Sequence, residues 1–135
     1  MTDHRFPKSA RLLKSVEFQR VYSGKLFAAD NVLVIKGVAN GTDKTRLGLA
    51  VGKRVGNAVV RNRWKRVIRD AFRRYRDELP AGLDLVVRPK RGAQCNHASV
   101  VRSLKRLSNR LKKSMAKQAA VDANRSTTVK RPEER

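Results

Sequence analysis

Ten basic side chains stand between Lys53 and Arg76, namely Lys53, Arg54, Arg61, Arg63, Lys65, Arg66, Arg69, Arg73, Arg74 and Arg76, against one acid, Asp70. Most are arginines, whose planar fork takes phosphate oxygens or a guanine edge two bonds at a time. At 100° per residue, Trp64, Ile68, Ala71, Phe72 and Tyr75 form one arc with Val67 at its margin. Asn62, Lys65, Arg66, Arg69, Arg73 and Arg76 fall on the opposite side. Like charges at this spacing repel, and a face that serves only solubility mixes signs. A phosphate lattice supplies the counter-charge that this face lacks. The same spacing suits a helix in a DNA major groove, so charge alone does not separate DNA from RNA.

A second set of residues could meet bases. Phe18 and Tyr22 lie one helical turn apart, and aromatic faces stack on bases of any identity, although the same spacing also describes a core-facing stripe. Gly48, Ala50 and Gly52 alternate with Leu47, Leu49 and Val51, so one strand face is nearly bare backbone that a nucleic-acid strand could approach, with Lys53 and Arg54 at its end. Hydrolytic chemistry has little material. Eleven scattered acids, His4, His97 and Cys95 form no nucleophile–base pair, carboxylate pair or zinc-ligand spacing, so no catalytic residue and no protein-bound metal or cofactor is expected. Trp64 reads as core, and Cys95 and His97 as incidental loop residues.

These groups need elements to hold them. Ser15 can cap a short first helix with Glu17 in its first turn and Gly24 at its end. Asn31 to Val38 and Arg46 to Lys53, joined across Asn40-Gly41, predict an antiparallel hairpin. Asn57 caps the long basic helix, which Pro80 and Gly82 stop. Leu83 to Arg88 is an apolar strand. After Asn96, Val100, Leu104, Leu107, Leu111 and Met115 recur at helical spacing. With an extra short strand near Leu26 to Ala28, the order is α-β-β-(β)-α-β-α. The class is α+β, a small mainly antiparallel sheet packed with three helices.

Composition sets the outer bounds. The 135 residues hold 33 Lys+Arg and 11 Asp+Glu, a formal +22, with a sequence pI near 11.6. One RNA-binding domain is expected over 1–115, followed by a basic, disordered tail over 116–135 that lacks apolar periodicity. The third helix carries Arg102, Lys105, Arg106, Arg110, Lys112, Lys113 and Lys117 without an acid, which suggests long-range attraction rather than specific recognition. No apolar run approaches the roughly 20 residues of a membrane span, and Met1 to Leu13 has no export-signal pattern, so the expected location is the cytoplasm, without a membrane partner.

The stretch Arg46-Leu47-Gly48-Leu49-Ala50-Val51-Gly52-Lys53-Arg54-Val55-Gly56-Asn57-Ala58-Val59-Val60-Arg61-Asn62-Arg63-Trp64-Lys65-Arg66-Val67-Ile68-Arg69-Asp70-Ala71-Phe72-Arg73 resembles the signature region of the bacterial ribonuclease P protein, centred on Arg61-Asn62-Arg63. The likeness runs upstream through Arg11 to Tyr22, where Leu13-Lys14-Ser15 and Glu17 to Tyr22 resemble the family's first helix, and downstream through Asp84 to Arg88, covering about residues 8 to 113. It implies the ribosomal protein S5 domain 2-like fold and the role of accessory protein subunit to a catalytic RNA that cuts the 5′ leader from precursor tRNA, using Mg²⁺ bound by the RNA. It also implies that Arg61, Asn62, Arg63, Lys65, Arg66 and Arg69 face the catalytic RNA, a set to which charge adds Lys53, Arg54 and Arg73. The leader would lie between the first helix and the sheet, along Phe18, Tyr22, Gly48, Ala50 and Gly52. Family members often carry an aromatic in the first long strand, where this sequence has Val32, Leu33, Val34 and Ile35. A ribosomal RNA-binding protein shares the size and basicity, but the Arg-Asn-Arg helix after a Gly-Asn turn favours the ribonuclease P reading, and DNA is not an expected partner.

Overall fold

The computed structural model describes residues 8–12 and 14–130, with side chains from Ser9 to Val121. The sequence reading of the extreme amino terminus, and of the tail past 130, lies outside them. Strands β1 (Phe27–Ala29), β2 (Leu33–Ala39), β3 (Arg46–Leu49) and β4 (Leu83–Pro89) form one sheet in the order β1-β2-β4-β3. Helices are α1 (Ser15–Ser23), α2 (Ala58–Tyr75) and α3 (His97–Lys130). The element order and the α+β class agree with the sequence, including the extra strand, here β1. No helix among the described residues is long and apolar enough to cross a membrane.

The expected hairpin does not form. Asn40 and Gly41 do turn the chain, and Asn40 Oδ1 accepts from the Thr42 backbone N–H at 2.9 Å. But β4 inserts between β2 and β3, antiparallel to the first and parallel to the second. The reason is burial. Five consecutive residues of β4, Leu83 to Val87, are buried, which requires cover on both faces and neighbours on both edges. The parallel β3–β4 pair is joined through α2, the crossover that parallel strands need. β3 is also shorter than expected. Ala50 still donates to Val87 O at 2.9 Å, whereas Gly52 to Val55 leave the sheet in a tight turn.

Alternation divides the sheet into two faces. Leu33, Ile35, Leu47, Leu83, Leu85 and Val87 point to the main core, where they meet Trp64, Ile68, Ala71 and Phe72 of α2 and Val100, Leu104, Leu107 and Leu111 of α3. Each Val, Leu, Ile or Phe side chain among them contributes about 1.5–3 kcal/mol on burial. The other face carries Val34, Lys36, Val38, Asp84, Val86, Arg88, Arg46 and Gly48, covered in part by α1 and the segment before it, where Val21 and Leu12 pack with Val86.

Helix ends follow local chemistry, with three changes, the first being that α2 stops at Tyr75 and tightens into a single 3-10 turn over Arg76–Glu78 before Pro80 is reached. Asn57 caps α2 as expected, accepting from Val60 N at 3.0 Å, and Gly56 before it takes φ 153, which only glycine adopts freely. The α1 cap is Lys14 rather than Ser15, and Glu17 Oε1 accepts from the Lys14 backbone N–H at 3.0 Å. Gly24 ends α1 in extended backbone, and its need is space, because a Cβ there would stand 2.8 Å from Val38 Cγ1. α3 does not stop where its packing ends near Met115 but runs as one helix to Lys130. Alanine, lysine and glutamine there favour helix, and no glycine or proline intervenes before Pro132.

Candidate nucleic-acid interface

The outward side of α2 opens on a concavity of about 560 Å³ lined by Arg11, Asn62, Lys65, Arg66, Arg69, Asp70 and Arg73. Five of the expected residues therefore converge. Arg11 was not expected; it arrives because the amino-terminal segment lies along β3, with Arg11 bridging to Leu47 and Leu12 N donating to Leu47 O at 2.9 Å. No local pattern marks Arg11, since a long-range strand contact places it. Asp70 is engaged by Arg73 and by Arg74 at 3.0 Å on its own helix, and by a hydrogen bond to His97 Nε2 at 2.8 Å. Burial pushes its carboxyl up, but the hydrogen bonds from His97, Arg73 and Arg74 hold it below the usual carboxylate range. The one acid in the band is thereby screened, and His97 ties the start of α3 to α2. Arg61 and Arg63 do not line this concavity. Arg63 turns toward the β4–α3 loop, donating to Cys95 O at 3.4 Å, and Arg61 is half-buried in the first turns.

On the outer sheet face the expected groove residues separate into two roles. Phe18 is half-buried against the bare backbone of Gly48, where a Cβ would lie 2.8 Å from its Cε1 and Cζ atoms. The glycine thus seats an aromatic of the protein itself. Tyr22 is 46% exposed, its ring centroid 6.5 Å from that of Phe18 and 5.8 Å from Lys36 Nζ. Phe27 on β1 is 61% exposed and pairs in register with Lys36, which gives this face an aromatic that the first long strand lacks. Past α1 the face continues into a second concavity of about 590 Å³, whose wall includes Ala50, Gly52, Lys53, Arg54, Arg88, Lys90 and Arg91. Lys53 and Arg54 therefore belong to the end of the sheet groove and not to the α2 concavity. Phe27, Lys36 and Arg88 were missed because their shared face depends on strand order. Trp64 is 2% exposed and is core.

A buried ionic network holds α1 over this face. Asp84, fully buried on β4, accepts from Arg46 Nε at 2.8 Å and Nη2 at 2.6 Å, from Asn40 at 2.9 Å, and from Arg20 of α1. Arg46 reaches on to Glu17 of α1 at 2.8 Å. Burial raises the Asp84 carboxyl, but Arg46, Asn40 and Arg20 more than offset this and lower it. The Arg46 guanidinium is correspondingly held charged, chiefly by Asp84. Five carboxylates, Glu17, Asp30, Asp70, Glu78 and Asp84, are thus engaged with arginine or lysine.

The family model of ribonuclease P matches residues 6–112, a span that holds both concavities and α1. The chain belongs to the ribonuclease P protein family. It is 36% identical over 115 residues to the ribonuclease P protein component of Desulforapulum autotrophicum, covering 84% of this chain and 98% of the relative. It is 41% identical over 96 residues to that of Marinomonas sp., covering 68% and 70%. The ribonuclease P protein of Staphylococcus aureus superposes with a TM-score of 0.65 at 31% identity, over 74% of this chain and 93% of that one. The Thermotoga maritima protein superposes with a TM-score of 0.65 at 29% identity, over 72% and 96%. The mixed four-stranded sheet with three helices is therefore the family fold, and the family match ends inside α3, well short of Lys130.

Proposed function

We propose that this protein acts on the 5′ leader of precursor tRNA as the subunit that binds and positions RNA, while the catalytic RNA of ribonuclease P, with Mg²⁺ bound to that RNA, breaks the phosphodiester. The observation that carries this reading is the division of the surface into two unlike sites. The α2 concavity is cationic and suited to a folded phosphate backbone, which is the part assigned to the catalytic RNA. The outer sheet face combines exposed aromatics, Tyr22 and Phe27, with Lys36, Arg88, Lys53 and Arg54, the arrangement that suits a single strand whose bases are unstacked. Engagement of five carboxylates in ion pairs further favours chemistry carried by the RNA. The cytoplasm, where precursor tRNA is processed, is the proposed location.

Reconstitution tests this. The pure chain is added to a bacterial ribonuclease P RNA and precursor tRNA cleavage is followed at low Mg²⁺. Faster cleavage of leader-bearing substrate than with RNA alone is expected, and rates equal to RNA alone refute the reading. A chain that cleaves precursor tRNA without any RNA would instead favour a protein ribonuclease.

A further inference from the structure

α3 carries a further cationic surface that neither concavity includes. From His97 to Val121 the helix holds seven Lys and Arg and no acid. Val100, Leu104, Leu107 and Leu111 face the core, and Arg102, Arg106, Lys113 and Lys117 fall on the opposite arc, with Arg110 at its margin. Arg102 to Lys117 is a row about 22 Å long at the rise of an α-helix. Arg106 has an acid from another element, Asp30, and Arg110 reaches Ala29 O at 3.4 Å. Among the described residues Arg102, Lys113 and Lys117 form no ion pair.

The contacts of Arg106 and Arg110 place this row at the β1 end of the sheet. The α2 concavity lies at the other end, because its Arg11 is paired with β3. In the order β1-β2-β4-β3 these are opposite edges, so one contact cannot neutralise both. A solvated face would interleave acids and gain from i, i+4 pairs; this one accepts like-charge repulsion over four turns. We propose that the outward row of α3 is a second phosphate-docking surface, which holds an RNA segment of the ribonucleoprotein distinct from the one at α2. This rests on the function proposed above. The protein then braces two RNA segments from the two edges of its sheet.

The test uses the full chain with the triple change Arg102→Gln, Lys113→Gln and Lys117→Gln, which spares Arg106 and its Asp30 partner and keeps good helix formers. Circular dichroism confirms folding. Affinity for the ribonuclease P RNA, measured across salt concentrations, should fall more than tenfold near 0.1 M salt, and the log–log salt slope should become shallower by about 2–3. Nuclease footprinting should lose a segment that Arg66→Ala/Arg69→Ala leaves protected. An unchanged slope overturns the proposal, as does loss of the same segment that the α2 variant loses. Unchanged RNA binding with weakened binding to vesicles of anionic phospholipid would assign the row to a membrane and also overturn it. If the α2 variant leaves RNA affinity and slope untouched while the α3 variant changes both, the proposed role of α2 fails and that of α3 stands.

Discussion

Replacing Asp84 by asparagine tests whether the buried carboxylate holds α1 over the sheet. The change keeps shape but removes one acceptor oxygen and the charge, and points an amide N–H at guanidinium donors. Breaking a buried pair by removing one partner costs about 3–5 kcal/mol. Here Arg46 keeps Glu17 and is 28% exposed, and Arg20 is 48% exposed, so water recovers part of the loss. About 3 kcal/mol is expected, a large share of the 5–15 kcal/mol typical of a domain. With a urea dependence of about 2 kcal/mol/M the midpoint falls by roughly 1.5 M. Because the folded carboxyl lies below its ordinary value, its stabilisation is fully present above the unfolded value near 3.8 and is lost as pH falls through the lower folded one. The gap between the two proteins in urea titrations should therefore hold from pH 7 to about 5 and narrow below about 4. A gap under about 1 kcal/mol at pH 7, or one that does not narrow in acid, refutes the reasoning.

Other outcomes follow from the same geometry. Arg66→Ala/Arg69→Ala should lower affinity for the catalytic RNA and make its salt slope shallower by roughly 2, with little change in urea stability, as read by filter binding and denaturation. Tyr22→Ala should weaken binding of leader-bearing over leaderless tRNA by about 1–3 kcal/mol if a base stacks on it, at almost no cost in stability; equal affinities for both substrates in variant and parent would remove Tyr22 from the leader path. Phe18→Ala is a less clean probe, since Phe18 also packs on Gly48 and on the cluster of Leu12, Val21 and Val86. Gly48→Val should cost about 1–3 kcal/mol through displacement of the Phe18 ring, visible as a lower melting temperature.

The helices and the chemistry of their faces were legible in the chain itself. Apolar periodicity located Trp64, Ile68 and Phe72 in the core and left Asn62, Lys65, Arg66, Arg69 and Arg73 outside, and the caps at Asn57 and Asn96 act between residues three apart, accepting from Val60 and Ser99. Such contacts are local, so the sequence order already contains them. The sheet was not legible in the same way. The Asn40-Gly41 turn argued for pairing β2 with β3, and that local preference was overridden by the burial of β4 on both faces, a demand satisfied only when distant segments assemble. Strand order then decided what no spacing encodes: that Arg11 joins the α2 band, that Phe27, Lys36 and Arg88 share the outer face, and that Lys53 and Arg54 close that groove. By itself the sequence determined that this protein carries a one-sided cationic helix, because helix period and charge are read residue by residue. Only the tertiary structure decided that its cations stand on separate edges and faces, because contacts between remote segments set those positions.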